Sequence, residues 1–200
     1  MLRSRRWLGV IAVCTFSYLV LSAQAWCALQ QGDTWHLDAP HSSAQFAVRH
    51  LGISTIRGAF TKVSGDVNYA SSDPSKSSVE VTIDASSVVT RVTMRDNDLR
   101  SERFLDVAKY PTIIFKSKRV SSPGPGKLTI LGDLTIHGVT KEVTLDVTGP
   151  SDPIKNPMGP GQRMGASATT KINRTDFGMN TMVGPIANEV DIQIDVELVK

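Results

Sequence analysis

Four histidines, at positions 36, 41, 50 and 137, are the first residues to test for chemistry in this 200-residue chain. None stands four residues from another, and none accompanies a C-x-x-C pair, so no zinc-type ligand set is spelled out. His36 lies on the opposite strand parity from Trp35, His41 and His50 flank an extended run that holds them apart, and His137 opens a turn. Ser42 and Ser43 follow His41, but adjacency does not place a serine, a base and an orienting acid in line, and the chain has no nucleophile-elbow motif. Asp96 and Asp98 have the spacing of paired carboxylates, yet Arg95, Arg100 and Arg103 beside them favour a salt-bridged or solvated cluster. Ser101 reads as a capping or structural hydroxyl. Asn173-Arg174-Thr175 matches a glycosylation sequon, a short and frequent pattern. Nucleophilic, acid–base and metal chemistry therefore all lack a constellation. The expectation is a non-enzyme with no cofactor and no metal.

The elements that could hold a site begin after an export segment. Arg3, Arg5 and Arg6 precede an apolar run over residues 7–21, and Ala23-Gln24-Ala25 supplies the small residues that a signal peptidase needs. Residues 1–25 are read as a cleaved signal peptide, 26–34 as a flexible leader and 35–200 as one domain, which places the protein in the periplasm or outside the cell. Cleavage removes three of the twenty-two basic residues and none of the nineteen acidic ones, taking the formal charge from +3 to zero. Without a basic surplus there is no reason to expect nucleic acid. Cys14 falls in the signal, leaving Cys27 with no partner for an intramolecular disulfide. Trp26 before it is not the small residue of a lipoprotein signal.

From Ala44 onward the chain alternates with period two. Ala44, Phe46 and Val48 share one face; Ile56, Gly58 and Phe60 repeat the pattern, with Val67 and Tyr69 closing a long strand in which Gly65 is the expected bulge. Val79, Val81 and Ile83 follow, and after a Pro-Gly-Pro-Gly loop come Leu128, Ile130, Leu134 and Ile136, a turn at His137, and Val143, Leu145 and Val147. Residues 152–162, rich in proline and glycine, are expected to form a loop. Met164, Ala166, Ala168, Thr170 and Ile172 then share a face, as do Val190, Ile192, Ile194, Val196 and Leu198. Only residues 93–108 break this rhythm. Arg95, Asp98 and Glu102 have helical spacing there, until Pro111 ends any helix and Ile113, Ile114 and Phe115 resume as strand. About eight strands with regular turns predict one all-β sandwich or barrel. Small inward residues, among them Ala44, Gly58, Gly132, Ala166, Ala168 and Thr170, imply either a cavity with a guest or close approach of neighbouring chain.

The run RD-x-x-LRS-x-x-F-x-D-x-x-x-YP-x-I-x-F over residues 95–115 resembles the signature of the YceI-like family. So do Trp35 with His41-Ser42, Val48-Arg49-His50, Gly58-Ala59-Phe60, GDLTIHGVTKEV from Gly132, and NRTDFG from Asn173. Asp98 stands where that family usually carries a histidine, and Leu105 where it carries a second aromatic. The resemblance implies an eight-stranded antiparallel, lipocalin-like barrel with a short helical insert, and non-catalytic binding of a long-chain lipid such as a polyisoprenoid, an isoprenoid quinone or a precursor. On that reading the tail lies among Phe46, Val48, Phe60, Ile83, Phe115, Leu134 and Ile172, with Phe177 near one end. Leu99 and Phe104 form the apolar side of a lid, and Arg49, His50 and Arg100 stand at the mouth. Transient membrane contact and a homodimer are compatible with it. The alternatives from other classes are an enzyme acting on a bound lipid or amide, and a ligand-free interaction module.

Overall fold

The computed structural model describes residues 32–200. The expected signal peptide, both cysteines and nearly all of the leader lie outside them. The first strand, β1 (Asp33–Leu37), begins two residues before the expected start of the domain, because Asp33 and Thr34 already pair with Tyr69 and Asn68. The other strands are β2 (Ser43–His50), β3 (Ser54–Phe60), β4 (Val63–Tyr69), β5 (Ser78–Asp84), β6 (Val88–Val89), β7 (Thr112–Gly124), β8 (Lys127–Ile136), β9 (Val139–Thr148), β10 (Ile154–Lys155), β11 (Gln162–Asn173) and β12 (Ile186–Val199). One helix, α1 (Thr93–Arg100), interrupts them. None of the described helices is long and apolar enough to cross a membrane.

Strand β12 decides the architecture. One of its edges pairs with β11 from Glu189 to Val199. Its other edge takes β2 from Ile186 to Asp195 and then β1 at Leu198 and Val199. β1 and β2 are therefore one bent strand. The same holds for β4 with β3 and for β5 with β6, since β4 pairs with β1 and β5 while β3 pairs with β2 and β6. With β7, β8, β9 and β11, these bent strands and β12 make an eight-stranded antiparallel ring closed at β11–β12.

The bends lie side by side across the wall. Ser87, almost fully buried, joins two of them: its hydroxyl donates to Asp84 O at 2.6 Å and accepts from Lys62 N at 3.2 Å. Between Phe60 and Val63 the inward parity changes from even to odd, so the irregularity falls at Thr61-Lys62 and not at the expected Gly65. Gly65 keeps its place in an unbroken β4–β5 register because a Cβ there would lie 2.3 Å from Glu80 O.

Two further glycines have a different use. Phe46 faces Gly58 across the β2–β3 pair, and a Cβ on Gly58 would sit 2.3 Å from its ring. A Cβ on Gly132 would sit 2.5 Å from the Phe115 ring and 2.6 Å from Lys116 O. The expectation that these glycines open space is corrected: each is covered by an aromatic ring from the adjoining strand. The hairpin from β8 to β9 turns on His137 and Gly138, both with positive φ (52° and 73°), as a two-residue turn in a right-twisted ribbon requires. The Tyr110 ring lies on that turn, 4.8 Å from the His137 ring. Within the residues expected to form the Pro-rich loop, Ile154 and Lys155 add the short β10 to β11, which itself starts at Gln162.

Gly132→Ala should lower the unfolding free energy by about 1–3 kcal/mol, because the neighbouring carbonyl cannot retreat as a side chain could. Urea unfolding of the variant against the parent measures this.

Candidate functional site

The barrel holds two cavities in series. The inner one, about 190 Å³, is walled by the inward faces of the ring: Ala44, Val67, Ile83, Phe115, Leu134, Leu145, Ala168, Ile194 and their neighbours. Apart from Gln45, Ser77, Ser167 and Thr170, the residues along it are apolar or aromatic. Its far end lies at Met164 and Leu198, which pack on the buried Trp35. The outer cavity, about 840 Å³, opens under α1 and shares Phe46, Phe60, Ile113, Ile136 and Ile192 with the inner one. The bent strands divide between the two. Val63, Val67 and Val79 line the inner cavity, while Val48, His50, Ile56 and Val88, on the segments beyond the bends, line the outer one. Charged side chains occur only in the outer cavity, where His50, Arg95, Asn97, Asp98, Ser101, Arg103 and Arg174 join its apolar walls.

Helix α1 is held over this opening by its own charged residues. The buried Asp96 accepts from Thr90 N at 2.7 Å and from the Thr90 hydroxyl at 2.5 Å. Arg95 donates to that hydroxyl and to Thr90 O. Arg100 donates to Ser86 O in the turn before β6 and to Val88 O on the edge strand β6 itself. The helix ends at Arg100, where Ser101 closes it by donating its hydroxyl to Asp98 O. Glu102 lies beyond the helix, so the expected face of Arg95, Asp98 and Glu102 does not form; Asp98 pairs instead with Arg103 at 2.7 Å. Phe104 and Leu105, both buried, follow in a series of turns and line the outer cavity.

The sequence-predicted residues distribute unevenly over this geometry. Ile83, Phe115 and Leu134 line the inner cavity; Val48, Leu99, Phe104 and Ile172 line the outer; Phe46 and Phe60 border both. Phe177 lines neither. It is buried in the core in a short 3-10 turn, and its carbonyl faces His137 Nδ1 at 3.2 Å. Of the three mouth residues only His50 lines the opening. Arg49 points away along the β2–β3 hairpin, donating to the Thr55 hydroxyl and to Gly52 O. Arg100 is spent on the carbonyls of Ser86 and Val88. Asp96, expected in a solvated or salt-bridged cluster, is a buried anchor.

Arg174 was not singled out by sequence reasoning. It is buried on the outer cavity wall, and its guanidinium donates to four backbone carbonyls, those of Ala187, Met179, Thr181 and Ile186, at 2.5–3.0 Å. Burial lowers its pKa. One side chain thus fixes the path of residues 179–187. The signal that could have found it is its place inside the NRTDFG block, where the sequon drew the reading to Asn173. That asparagine instead accepts from Thr175 N and its hydroxyl, starting the turn.

At the opposite end Asp38 lies between His41 Nδ1 (2.8 Å) and Arg163 Nη1 (2.5 Å), and the same Nη1 reaches Glu197 at 2.9 Å. The ligand atoms of Asp38, His41 and Glu197 lie within 4.8 Å of one another, and Arg163 supplies the positive charge they share. The hydrogen bond to His41, then that to Arg163, holds the Asp38 carboxyl below the usual carboxylate range. Here too sits the Pro-rich loop, tied down where Gln162 and Lys200 exchange backbone hydrogen bonds.

Comparison with known proteins places this geometry. The YceI-like domain matches residues 35–198. The chain belongs to that family. Protein YceI of Escherichia coli is 40% identical over 185 residues, covering 92% of this chain and 93% of the relative. Among solved structures, BcnA of Burkholderia cenocepacia is 25% identical with a TM-score of 0.70, covering 80% of this chain and 98% of its own. A polyisoprenoid binding domain from Saccharophagus degradans, implicated in plant cell wall breakdown, shares the fold at 16% identity and a TM-score of 0.62, covering 82% and 97%. The YceI-like blocks of this chain fall where the barrel is least free: the Thr90–Asp96 anchor, the Arg100 clamp, the His137-Gly138 turn and the Arg174 fan.

Arg174→Lys keeps the charge but loses the planar spread of donors. It should cost on the order of 2 kcal/mol and increase amide hydrogen exchange across residues 179–187. For Asp38, the folded-state pKa lies below the ordinary 3.8, so its stabilisation is present above pH 3.8 and disappears as pH falls through the folded value. Asp38→Asn should therefore melt earlier than the parent near neutral pH, by on the order of 1 kcal/mol, and the two curves should converge in acid.

Proposed function

We propose that the protein binds a long-chain apolar lipid, a polyisoprenoid or an isoprenoid quinone or precursor, and carries or stores it in the periplasm without transforming it. The observation that supports this most is the adjoining of the two cavities: largely apolar walls run from the opening under α1 to Met164 and Leu198 beside Trp35, with charged groups only at the outer end. The strand from Ile186 to Leu198 on β12 is roughly 40 Å in contour, which at the usual tilt of barrel strands is about 30 Å along the axis. Such a site suits a molecule with a long tail and a polar head. Each methylene moved from water contributes about 0.8 kcal/mol, so affinity can come from the tail without elaborate polar recognition. The similarity to a polyisoprenoid binding domain in fold, and family membership, support the same class of ligand. His50 and Arg103, at the opening, are then the side chains nearest the head, and Leu99 and Phe104 cover the tail.

Native mass spectrometry of protein purified without harsh detergent, and after incubation with an isoprenoid, tests this. The expected result is a one-to-one complex with a chain-length preference. Ala168→Leu, which narrows the inner cavity, should shift that preference to shorter tails while the fold is retained. Failure to take up any isoprenoid, by parent as well as variant, would sink the reading.

A further inference from the structure

Three loops surround the opening, and each exposes large apolar side chains. The β2–β3 tip presents Leu51 (56% exposed) and Ile53 (80%), the start of α1 presents Val92 and Met94 (81%), and the loop before β12 presents Met182 and Val183. They belong to one end of the barrel. Leu51 N donates to Pro185 O at 2.7 Å, Ile186 pairs with His50, and β6, which leads into α1, pairs with β3. Val92, Met94 and Met182 also line the outer cavity, so the exposed apolar surface continues into its wall.

Two of these residues are held in the left-handed region: Leu51 has φ 51° and Met182 has φ 52°. Glycine or asparagine would occupy such positions with less strain, and an exposed leucine gains no packing there. Local folding therefore does not account for their apolar character. The charges lean the same way. Residues 178–187 carry no charged side chain, while residues 49–54 and 90–95 carry Arg49, Arg91 and Arg95 and no acid. Residues 96–103 add Arg100 and Arg103 against Asp96, Asp98 and Glu102, so five arginines face three acids around the opening in a chain whose residues 26–200 sum to zero charge.

Apolar tips flanked by arginine match the boundary between headgroups and acyl chains of a bilayer. Given the lipid-binding reading above, on which this inference rests, we propose that the mouth docks on an anionic lipid bilayer. Leu51, Ile53 and Met94 enter the acyl boundary, Arg91 faces headgroup phosphates, and the tail passes into the barrel without crossing water. The continuity of the patch with the cavity favours a bilayer over a protein partner.

The test is flotation of the protein with vesicles of phosphatidylcholine alone or mixed with phosphatidylglycerol, alongside uptake of an isoprenoid delivered in detergent. Parent protein should bind the phosphatidylglycerol vesicles more tightly, and salt should weaken that binding. The double variant Leu51→Asn, Ile53→Asp should lose at least about tenfold in vesicle affinity. Arg91→Asn should lose roughly fivefold on the anionic vesicles alone. Neither touches the cavity wall, so detergent-delivered uptake should be unchanged, and Leu51→Asn should melt no earlier than the parent. A parent that takes up isoprenoid from detergent but does not float, or a double variant that floats equally well, overturns the docking while leaving lipid binding intact. A parent that takes up nothing from detergent overturns the lipid reading and this inference with it. A concentration-dependent dimer that the double variant abolishes would assign the patch to a second copy and overturn the bilayer.

Discussion

Continuous backbone pairing around the ring is the constraint on which the rest of the structure depends. A strand that ends a sheet leaves amide and carbonyl groups that must find water or a partner. Here β12 binds β11 along one edge and the two halves of a bent strand along the other, so the main-chain groups of the wall are largely satisfied within the wall. The interior then has few polar obligations. Its side chains can be almost uniformly apolar, and a cavity can persist without buried groups that require ordered water. Where an edge does remain, at β6, the Arg100 guanidinium takes the Val88 carbonyl and that of Ser86 in the turn before it, and the same contact fixes the helix over the opening.

The width of the interior follows from a second rule, the pairing of rings with glycines. Phe46 over Gly58 and Phe115 over Gly132 lay large side chains flat on the wall. A ring that stands upright would block the axis; a ring that lies on a glycine lines it. The small residues that do leave room are Ala44, Ala166, Ala168 and Thr170, on the β2, β12 and β11 side.

Alternation of apolar and polar residues was enough to identify most of the strands and their inward faces, because parity is a property of the extended backbone itself. Seven of the ten positions expected to face a ligand lie on strands and reach a cavity wall by this parity; Leu99 and Phe104 reach one from the helical insert. Phe177 failed for a plain reason: it belongs to a turn, where parity has no meaning, and its burial serves the core. The arginines were harder. Whether Arg49 and Arg100 face an opening or a backbone carbonyl depends on which unpaired carbonyls lie within reach, which only the assembled loops decide. Arg174 and Asp96 are cases of the same kind, buried charges whose partners are main-chain or hydroxyl groups that leave no pattern in composition. The bends at residues 38–42, 61–62 and 85–87 were legible only at the second, where the parity of the apolar residues changes between Phe60 and Val63.

The strand that closes the ring is also the last of the described strands to be synthesised. Ser42 and Glu197, which hydrogen-bond across the seam, are 155 positions apart. Until β12 is in place, β11 and the β1–β2 strand both present bare edges, and the apolar lining has no lid. A topology whose deciding contacts are so distant in sequence folds slowly for its size. Throughout that interval the free edges can pair with those of another copy as readily as with their own missing strand, so the tendency to aggregate is set by how long the chain waits for β12.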